Sequence, residues 1–390
     1  MAAFQAISTA IGIVKTALRI GGAAAPRILA DYARLIYLNR TSRQRPIRTV
    51  PRLASGATRA DVRPAVWDAD IVVPVYNDFE GVDGLLRTLH QEAAHFAQVV
   101  LVHDCSADTR LSPLLQSFVA AVPNATLIEN ARNVGFLETC NRGLAASERD
   151  VIILNTDIEV PPGALGRLIR TLRSNPDIAS VTPFSSNAYG AGFPDLNYEN
   201  KRPFGMTTVQ IDAAFQAAGP FEPIDIPRGV GFCMAMSRCA IDRVGPFDLE
   251  FGAGYGEEAD FCLRARHAGF RNVLAPNTYV YHKAGQSFGA SSQRRAREGL
   301  IRLLARHPDY AGLVRGYLDR NEARAVCFAV LARLVSTAGG DAVSPPGSPQ
   351  FLLQPNGEEA QLGSDGEVYP FAFADSDVAD QLLELCGLRR

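Results

Sequence analysis

The sequence predicts an α/β protein built on a mostly parallel central sheet flanked by helices, and two observations predict it. From Asp70 to Ala188 short apolar runs alternate with helical patterns, which is how parallel strands joined by helical crossovers read. The composition also fits a large folded core, since 47% of the 390 residues are apolar, 21% are charged and the net charge is −2. These values exclude disordered and fibrous classes. In such sheets ligands sit beyond the carboxyl ends of the strands, so the residues that follow each apolar run carry the functional expectations.

The chain opens with an amphipathic pattern. Phe4, Ile7, Ile11, Val14 and Leu18 fall on one side of a helix and Gln5, Ser8, Thr9, Lys15, Thr16 and Arg19 on the other, until Gly21-Gly22 ends it. The segment is too polar to span a bilayer. A second helix starts at Pro26, with Ile28, Leu29, Tyr32, Leu35 and Ile36 on one face, and leads into Arg40, Arg43, Arg45, Arg48 and Arg52. Residues 1–52 hold nine Lys or Arg against the single acid Asp31. Such helices suit an anionic membrane surface, and they equally suit packing on the protein or on a second copy of it as a homo-oligomer.

The predicted strands are Ile71–Val75, Val99–His103, Thr126–Ile128, Val151–Leu154 and Ile178–Val181, with helices near Gly81–Ala93, Leu111–Ala121, Phe136–Ala146 and Gly163–Arg173. Their trailing residues are Tyr76 and Asn77, Asp104, Arg132 and Asn133, then Asn155, Thr156 and Asp157. No Gly-x-Gly-x-x-Gly follows the first strand and no Gly-Lys-Ser/Thr loop exists, which argues against a nicotinamide dehydrogenase and a P-loop NTPase. A strand-end aspartate such as Asp157 is placed to hold a divalent metal.

A second carboxylate cluster, Glu257, Glu258 and Asp260, stands at the start of a helix that extends to Ala268. Successive helical residues point about 100° apart, so Glu257 and Asp260 share a side and Glu258 faces another. Crowding and burial raise a carboxyl pKa, whereas a helix start lowers it. Arg264 and Arg266 follow on the same helix, facing either phosphate and acceptor or solvent. After Ser291 the pattern stays helical through Leu300, Leu303, Leu304, Leu313 and an apolar run from Ala325 to Val335. Gly339-Gly340 and Pro345-Pro346-Gly347 then break the chain. The last forty residues hold too little core for independence and are expected to dock on the rest or to open a further domain. The seven cysteines have no paired spacing and read as reduced, mostly buried thiols of a cytoplasmic protein.

A series of motifs, in order, resembles glycosyltransferase family 2. They are Ile71-Val72-Val73-Pro74-Val75-Tyr76-Asn77, His103-Asp104-Cys105-Ser106-Ala107-Asp108, Arg132-Asn133-Val134-Gly135-Phe136 with Asn141-Arg142-Gly143, and Asn155-Thr156-Asp157-Ile158-Glu159-Val160-Pro161. Gly231-Phe232-Cys233, Gly245-Pro246-Phe247-Asp248 and the run from Gly254 to Arg264 follow, closing with Val280-Tyr281-His282. The resemblance covers roughly residues 68–310. It implies a GT-A fold, a nucleotide-sugar donor and inversion at the anomeric carbon. It makes His282 the second ligand, with Asp157, of Mn²⁺ or Mg²⁺. It puts Pro74 and Tyr76 against the base, Asp104 on the base imide or ribose, and Arg132 on the diphosphate. Asn77, Asn133, Gly135, Asn155 and Thr156 would complete the nucleotide contacts. Asn155 stands where the family often has the first Asp of its pair, and an amide there adds no charge. By the same motif Glu258 is the general base, Glu257 the alternative, and Asp260 a sugar-binding or helix-orienting partner. His103 and Cys105 depart from the family pattern and leave uridine and deoxythymidine both open.

The expected organisation is residues 1–67 as amphipathic and basic helices, 68–290 as the catalytic module (68–183 for the nucleotide and 184–290 for the acceptor), 291–337 as a helical extension and 338–390 as linker and small C-terminal segment. The expected partners are a UDP- or dTDP-linked sugar and a glycan or lipid-linked saccharide acceptor of a bacterial-type surface polysaccharide, at the inner face of the cell membrane. No nucleic-acid partner is expected. A catalytically silent nucleotide-sugar-binding scaffold and a sugar nucleotidyltransferase are the alternatives.

Overall fold

The computed structural model describes residues 2–54, 66–197, 199–252, 254–283, 290–338, 350–353, 358–364 and 367–386. The break expected at Gly339-Gly340 and Pro345-Pro346-Gly347 lies outside the described residues, as do the side chains of Phe4 and Ile7.

Two helices open the chain, α1 (Ala2–Gly21) and α2 (Ala25–Arg40). Pro26 sits in the first turn of α2, where a missing N–H costs nothing. Ile28, Leu35 and Leu38 of α2 are buried against helices from late in the chain. The face that α1 turns inward carries Ile13, Ala17 and Ile20. The stripe of Ile11, Val14 and Leu18 therefore points away from the protein.

The next stretch follows the predicted alternation: β1 (Trp67–Val75), α3 (Phe79–Glu92), β2 (Phe96–His103), α4 (Leu111–Ala121), β3 (Ala125–Glu129), α5 (Phe136–Ala145), β4 (Asp150–Leu154), β5 (Ile158–Glu159), α6 (Ala164–Leu172) and β6 (Ile178–Ser185). β1 pairs in parallel with β2 and β4, and β2 with β3. Ile71 to Val75 are buried throughout, which is why this part of the strand reads as an unbroken apolar run instead of an alternating one.

Beyond the expected strands come α7 (Thr208–Ala218), β7 (Ile224–Asp225), β8 (Cys233–Met236), α8 (Arg238–Val244), α9 (Glu257–His267) and β9 (Arg271–His282). The sheet has nine strands, in the order β3-β2-β1-β4-β8-β6-β9-β5 with β7 on β9. β8 runs antiparallel to β4 and β6, while β9 is parallel to β6. These strands are hard to read in the sequence, because β8 holds no β-branched residue and β9 is interrupted by Pro276.

The chain ends with α10 (Ala290–Arg306), α11 (Tyr310–Arg320), α12 (Glu322–Ala338), an antiparallel sheet of β10 (Gln350–Leu353), β11 (Glu359–Ser364) and β12 (Glu367–Ala372), and α13 (Ser376–Leu385). α12 is apolar almost all round because it is covered on opposite sides, by α7 and by the small sheet. Phe328 of α12 meets Phe371 and Phe373 edge to face at 5.2 and 5.4 Å. The backbone of Ile47 donates to Ala372 (2.7 Å) and accepts from Ala374 (2.8 Å). The described part of the C-terminal segment therefore docks on the rest of the chain.

Candidate active site

β1 has β2 on one side and β4 on the other, so the connections leave it in opposite directions and a crevice opens beyond its carboxyl end. A cavity of about 530 Å³ occupies this place, lined by Asp78, Gly81, Asp157, Asn187, His282 and Lys283 among others. Gly81 is required for its shape. A Cβ there would lie 2.0 Å from an Asp78 side-chain oxygen and 3.0 Å from the Thr156 carbonyl oxygen.

Asp157 and His282 meet inside the cavity, 125 positions apart in the chain but adjacent across the β5–β9 ladder, where Ile158 pairs with His282. His282 Nε2 lies 3.3 Å from Asp157 Oδ2. The other ring nitrogen, Nδ1, donates to the Asn187 carbonyl at 2.9 Å, which fixes the ring and leaves Nε2 facing Asp157, as an N–H when the ring is charged and as a lone pair when it is neutral. The ring stacks on Phe232 at 4.9 Å with an interplanar angle of 11°. Burial works to lower the His282 pKa, but the hydrogen bond to Asp157 and its charge outweigh burial and hold it above its ordinary value. A positive charge belongs between them, either the proton on Nε2 or a divalent cation in its place.

The residues expected around the nucleotide divide into two groups. Tyr76 is exposed at the end of β1, and Arg132 and Asn133 are exposed on the loop before α5. Asn77 ties two strand ends together: its N–H donates to Ser106 Oγ (2.9 Å) and its side-chain oxygen accepts from Ala107 N–H (3.2 Å). Pro74 is buried within β1, not free to flank a base. Asp104 is 2% exposed. Its oxygens accept from the backbone N–H groups of Val134 (2.8 Å) and Gly135 (2.9 Å) and from the Asn130 amide (2.9 Å). It holds the loop that carries Arg132, in place of the direct base contact expected. Gly135 takes a φ of 89°, a backbone conformation that favours glycine, just before α5. The Asn155 N–H donates to the Phe232 carbonyl (2.8 Å), and its side-chain Oδ1 is buried without a hydrogen-bond partner among the described residues. Thr156 is half-buried beside it.

The second cluster opens α9 after the successive positive φ angles of Gly254 (103°), Tyr255 (76°) and Gly256 (116°). As expected from helical spacing, Glu257 and Asp260 point inward and Glu258 faces elsewhere. Asp260 accepts from Arg264 Nε (2.7 Å), His307 (2.9 Å) and Arg306 (3.4 Å). It therefore fastens α9 to α10 and is not open to a sugar. Arg264 donates also to the carbonyls of Val244, Gly245 and Pro246, so it reaches neither phosphate nor acceptor. Glu257 is buried, and burial followed by the nearby Glu258 charge raises its pKa well above the ordinary value. Glu258 Oε1 lies 3.6 Å from Arg228 Nη1, and its Oε2 has no hydrogen-bond partner among the described residues.

Glu258 does not line the cavity that holds Asp157 and His282. It is joined to it through the segment Arg228–Phe232: Arg228 faces Glu258, Gly231 lies against the Glu258 Cβ, and Phe232 stacks on His282. Arg228 also lies over the Tyr189 ring at 5.1 Å, two positions from Asn187. Four contributors escape the sequence reading. Asn187 acts through a backbone carbonyl and leaves no side-chain signal. Phe232 reads as core. Arg228, a charge followed by Gly229 and Gly231, and Lys283, next to His282, do carry visible signals.

The fold and this site define a sugar-transfer class. Residues 70–245 match Glycosyl transferase family 2. The match spans a little under half of the chain, and the mixed sheet with helices on both faces is a GT-A architecture. The chain is similar to an N-acetylglucosaminyl-diphospho-decaprenol L-rhamnosyltransferase of Mycobacterium tuberculosis, 23% identical over 248 residues that cover 56% of this chain and 77% of that one. It is similar also to polypeptide N-acetylgalactosaminyltransferase 10 of Rattus norvegicus, 23% identical over 235 residues, 55% of this chain and 37% of that one. Among solved structures it resembles the mannosyltransferase PcManGT from Pyrobaculum calidifontis in complex with GDP-Man and Mn2+, with a TM-score of 0.48, 17% identity, and coverage of 85% of this chain and 88% of that one.

Proposed function

We propose that the chain is an inverting glycosyltransferase that moves a sugar from a UDP- or dTDP-linked donor to a hydroxyl of a glycan or lipid-linked saccharide. The observation that carries this reading is the Asp157–His282 pair, 3.3 Å apart in the cavity at the sheet's switch point. The pair fits Mn²⁺ or Mg²⁺: a carboxylate oxygen and an imidazole lone pair converge, and a backbone carbonyl fixes the ring. Among the described residues no three His, Cys, Asp or Glu side chains converge into a complete cage, which suits an ion that fills its shell with phosphate oxygens and water. When bound, the cation neutralises charge on the departing diphosphate.

The chain's own residues supply the rest. Lys283 lines the same cavity and adds positive charge beside the diphosphate. Tyr76 offers an exposed ring face to the base, and Arg132 an exposed guanidinium from the loop that Asp104 anchors. Glu258 accepts the acceptor's hydroxyl proton while the new carbon–oxygen bond forms and the bond to the diphosphate breaks on the opposite side. One displacement inverts the anomeric carbon. Arg228 faces Glu258 at 3.6 Å, whereas burial and the neighbouring Glu258 charge raise the Glu257 pKa. The rhamnosyltransferase relative, named for a diphospho-decaprenol acceptor, supports a lipid-linked acceptor here and a place for the protein near a membrane.

A panel of UDP- and dTDP-sugars with Mn²⁺ tests the reading through slow donor hydrolysis and transfer. Glu258→Gln is expected to lower turnover by about 10²–10⁴-fold with nucleotide binding retained. Tight nucleotide binding without turnover of any donor by the wild type would make the protein a silent scaffold instead.

A further inference from the structure

We propose that α1 is a docking helix for an anionic lipid bilayer, and that it holds the acceptor side of the catalytic crevice against that surface. α1 packs on α2 and α10 through Ile13, Ala17 and Ile20. With about 100° between successive residues, Ile11, Val14 and Leu18 fall on a separate, outward side, and they are 50%, 43% and 56% exposed. A lone exposed apolar side chain needs no explanation, but three at helical spacing on one outward stripe mark a contact surface.

Charge identifies the partner. Lys15 and Arg19 stand exposed beside the stripe, and α1 contains no acidic residue. The one acid of α2, Asp31, is buried and paired with Arg27 and Arg34. An apolar stripe flanked by cations matches the boundary between acyl chains and anionic headgroups. A second copy meeting this face across a twofold axis would bring Lys15 and Arg19 against like charges. Among the described residues no helix is long and apolar enough to cross a membrane, and the docking is interfacial.

The helix order supplies the orientation. α10, against which α1 packs, lies directly on the turn that opens α9: a Cβ on Gly299 would sit 1.8 Å from the Tyr255 carbonyl oxygen. A bilayer at α1 is thus one helix away from the turn that carries Glu257 and Glu258. The orientation rests on the reading of Glu258 as the base; the docking does not.

Sedimentation of the full chain with phosphatidylcholine vesicles, with and without phosphatidylglycerol, tests the proposal. The wild type is expected to pellet with the anionic vesicles. Lys15→Gln and Arg19→Gln should each weaken binding about fivefold, and the double variant Ile11→Ser/Leu18→Ser by tenfold or more, on the order of what burying two such side chains contributes. Melting temperature and nucleotide binding should match the wild type in all variants, because these side chains are exposed. Wild type that stays in the supernatant with every vesicle, or an apolar double variant that pellets unchanged, overturns the docking. So does a dimer, seen by light scattering, that the double variant dissolves, since the stripe would then belong to a second copy. Donor turnover in solution is measured in parallel, so failure of the docking and failure of the catalytic reading are distinguishable.

Discussion

Glu257 and Glu258 are neighbours in the chain and occupy different surroundings. Glu257 is buried beside Cys140 and Glu258, and its pKa is raised well above 4.5. A carboxyl that keeps its proton only in the folded protein contributes stability below its ordinary value of 4.5, and that contribution is lost as pH rises through the folded value. Glu257→Gln should therefore melt close to wild type at low pH and increasingly above it as pH climbs past 4.5. A melting-temperature difference that stays flat with pH would contradict the burial argument. Asp104 makes a second residue-scale prediction. Asp104→Ala strips its partners from Val134, Gly135 and Asn130, and should cost about 2–4 kcal/mol in denaturant unfolding and weaken nucleotide binding. Unchanged stability with altered base preference would return Asp104 to the base. At this scale the sequence marks residues more readily than it marks their partners. Motif order marks Asp104, Asp157, Asp260 and His282, but whether a carboxylate meets a ligand, a backbone N–H or an arginine depends on segments that fold in from elsewhere, such as His307 onto Asp260.

At the scale of elements, the turn before α9 depends on α10. Gly254, Tyr255 and Gly256 hold positive φ angles, and Gly299 is what lets α10 lie on the Tyr255 carbonyl. Replacing an exposed helical glycine by alanine ordinarily stabilises by about 0.5–1 kcal/mol. Gly299→Ala should instead lower the melting temperature and reduce transfer more than nucleotide binding, because the clash falls on the turn that carries Glu258. An alanine variant that is more stable and fully active would contradict this packing. The parallel strands β1 to β4 were legible as apolar runs with β-branched residues on both faces. β8 and β9 were not, and they are the strands that carry Cys233 beside Phe232 and deliver His282 to Asp157. Half of the Asp157–His282 pair thus rests on a strand interrupted by Pro276, whose place comes from pairing with β6.

For the whole molecule, the C-terminal segment behaves as a cover for α12. Arg324, itself buried, joins three parts of the chain: it donates to Asp195 (2.8 Å), to the Pro194 carbonyl (3.2 Å) and to the Pro370 carbonyl (2.7 Å). Phe328→Ala should cost about 3–5 kcal/mol and make residues after 350 sensitive to limited proteolysis while the sheet resists. If residues 350–390 instead survive as a compact fragment on their own, they form an independent unit. The central claim, that Asp157 and His282 hold a divalent cation which in turn holds a nucleoside diphosphate, is tested most directly by titration calorimetry of UDP and dTDP with and without Mn²⁺. The account predicts that the preferred nucleotide binds wild type at least about tenfold more tightly with the metal, a difference of about 1.4 kcal/mol, and that Asp157→Ala and His282→Ala abolish the difference. Equal affinity without metal, or a metal effect that survives both substitutions, would contradict it.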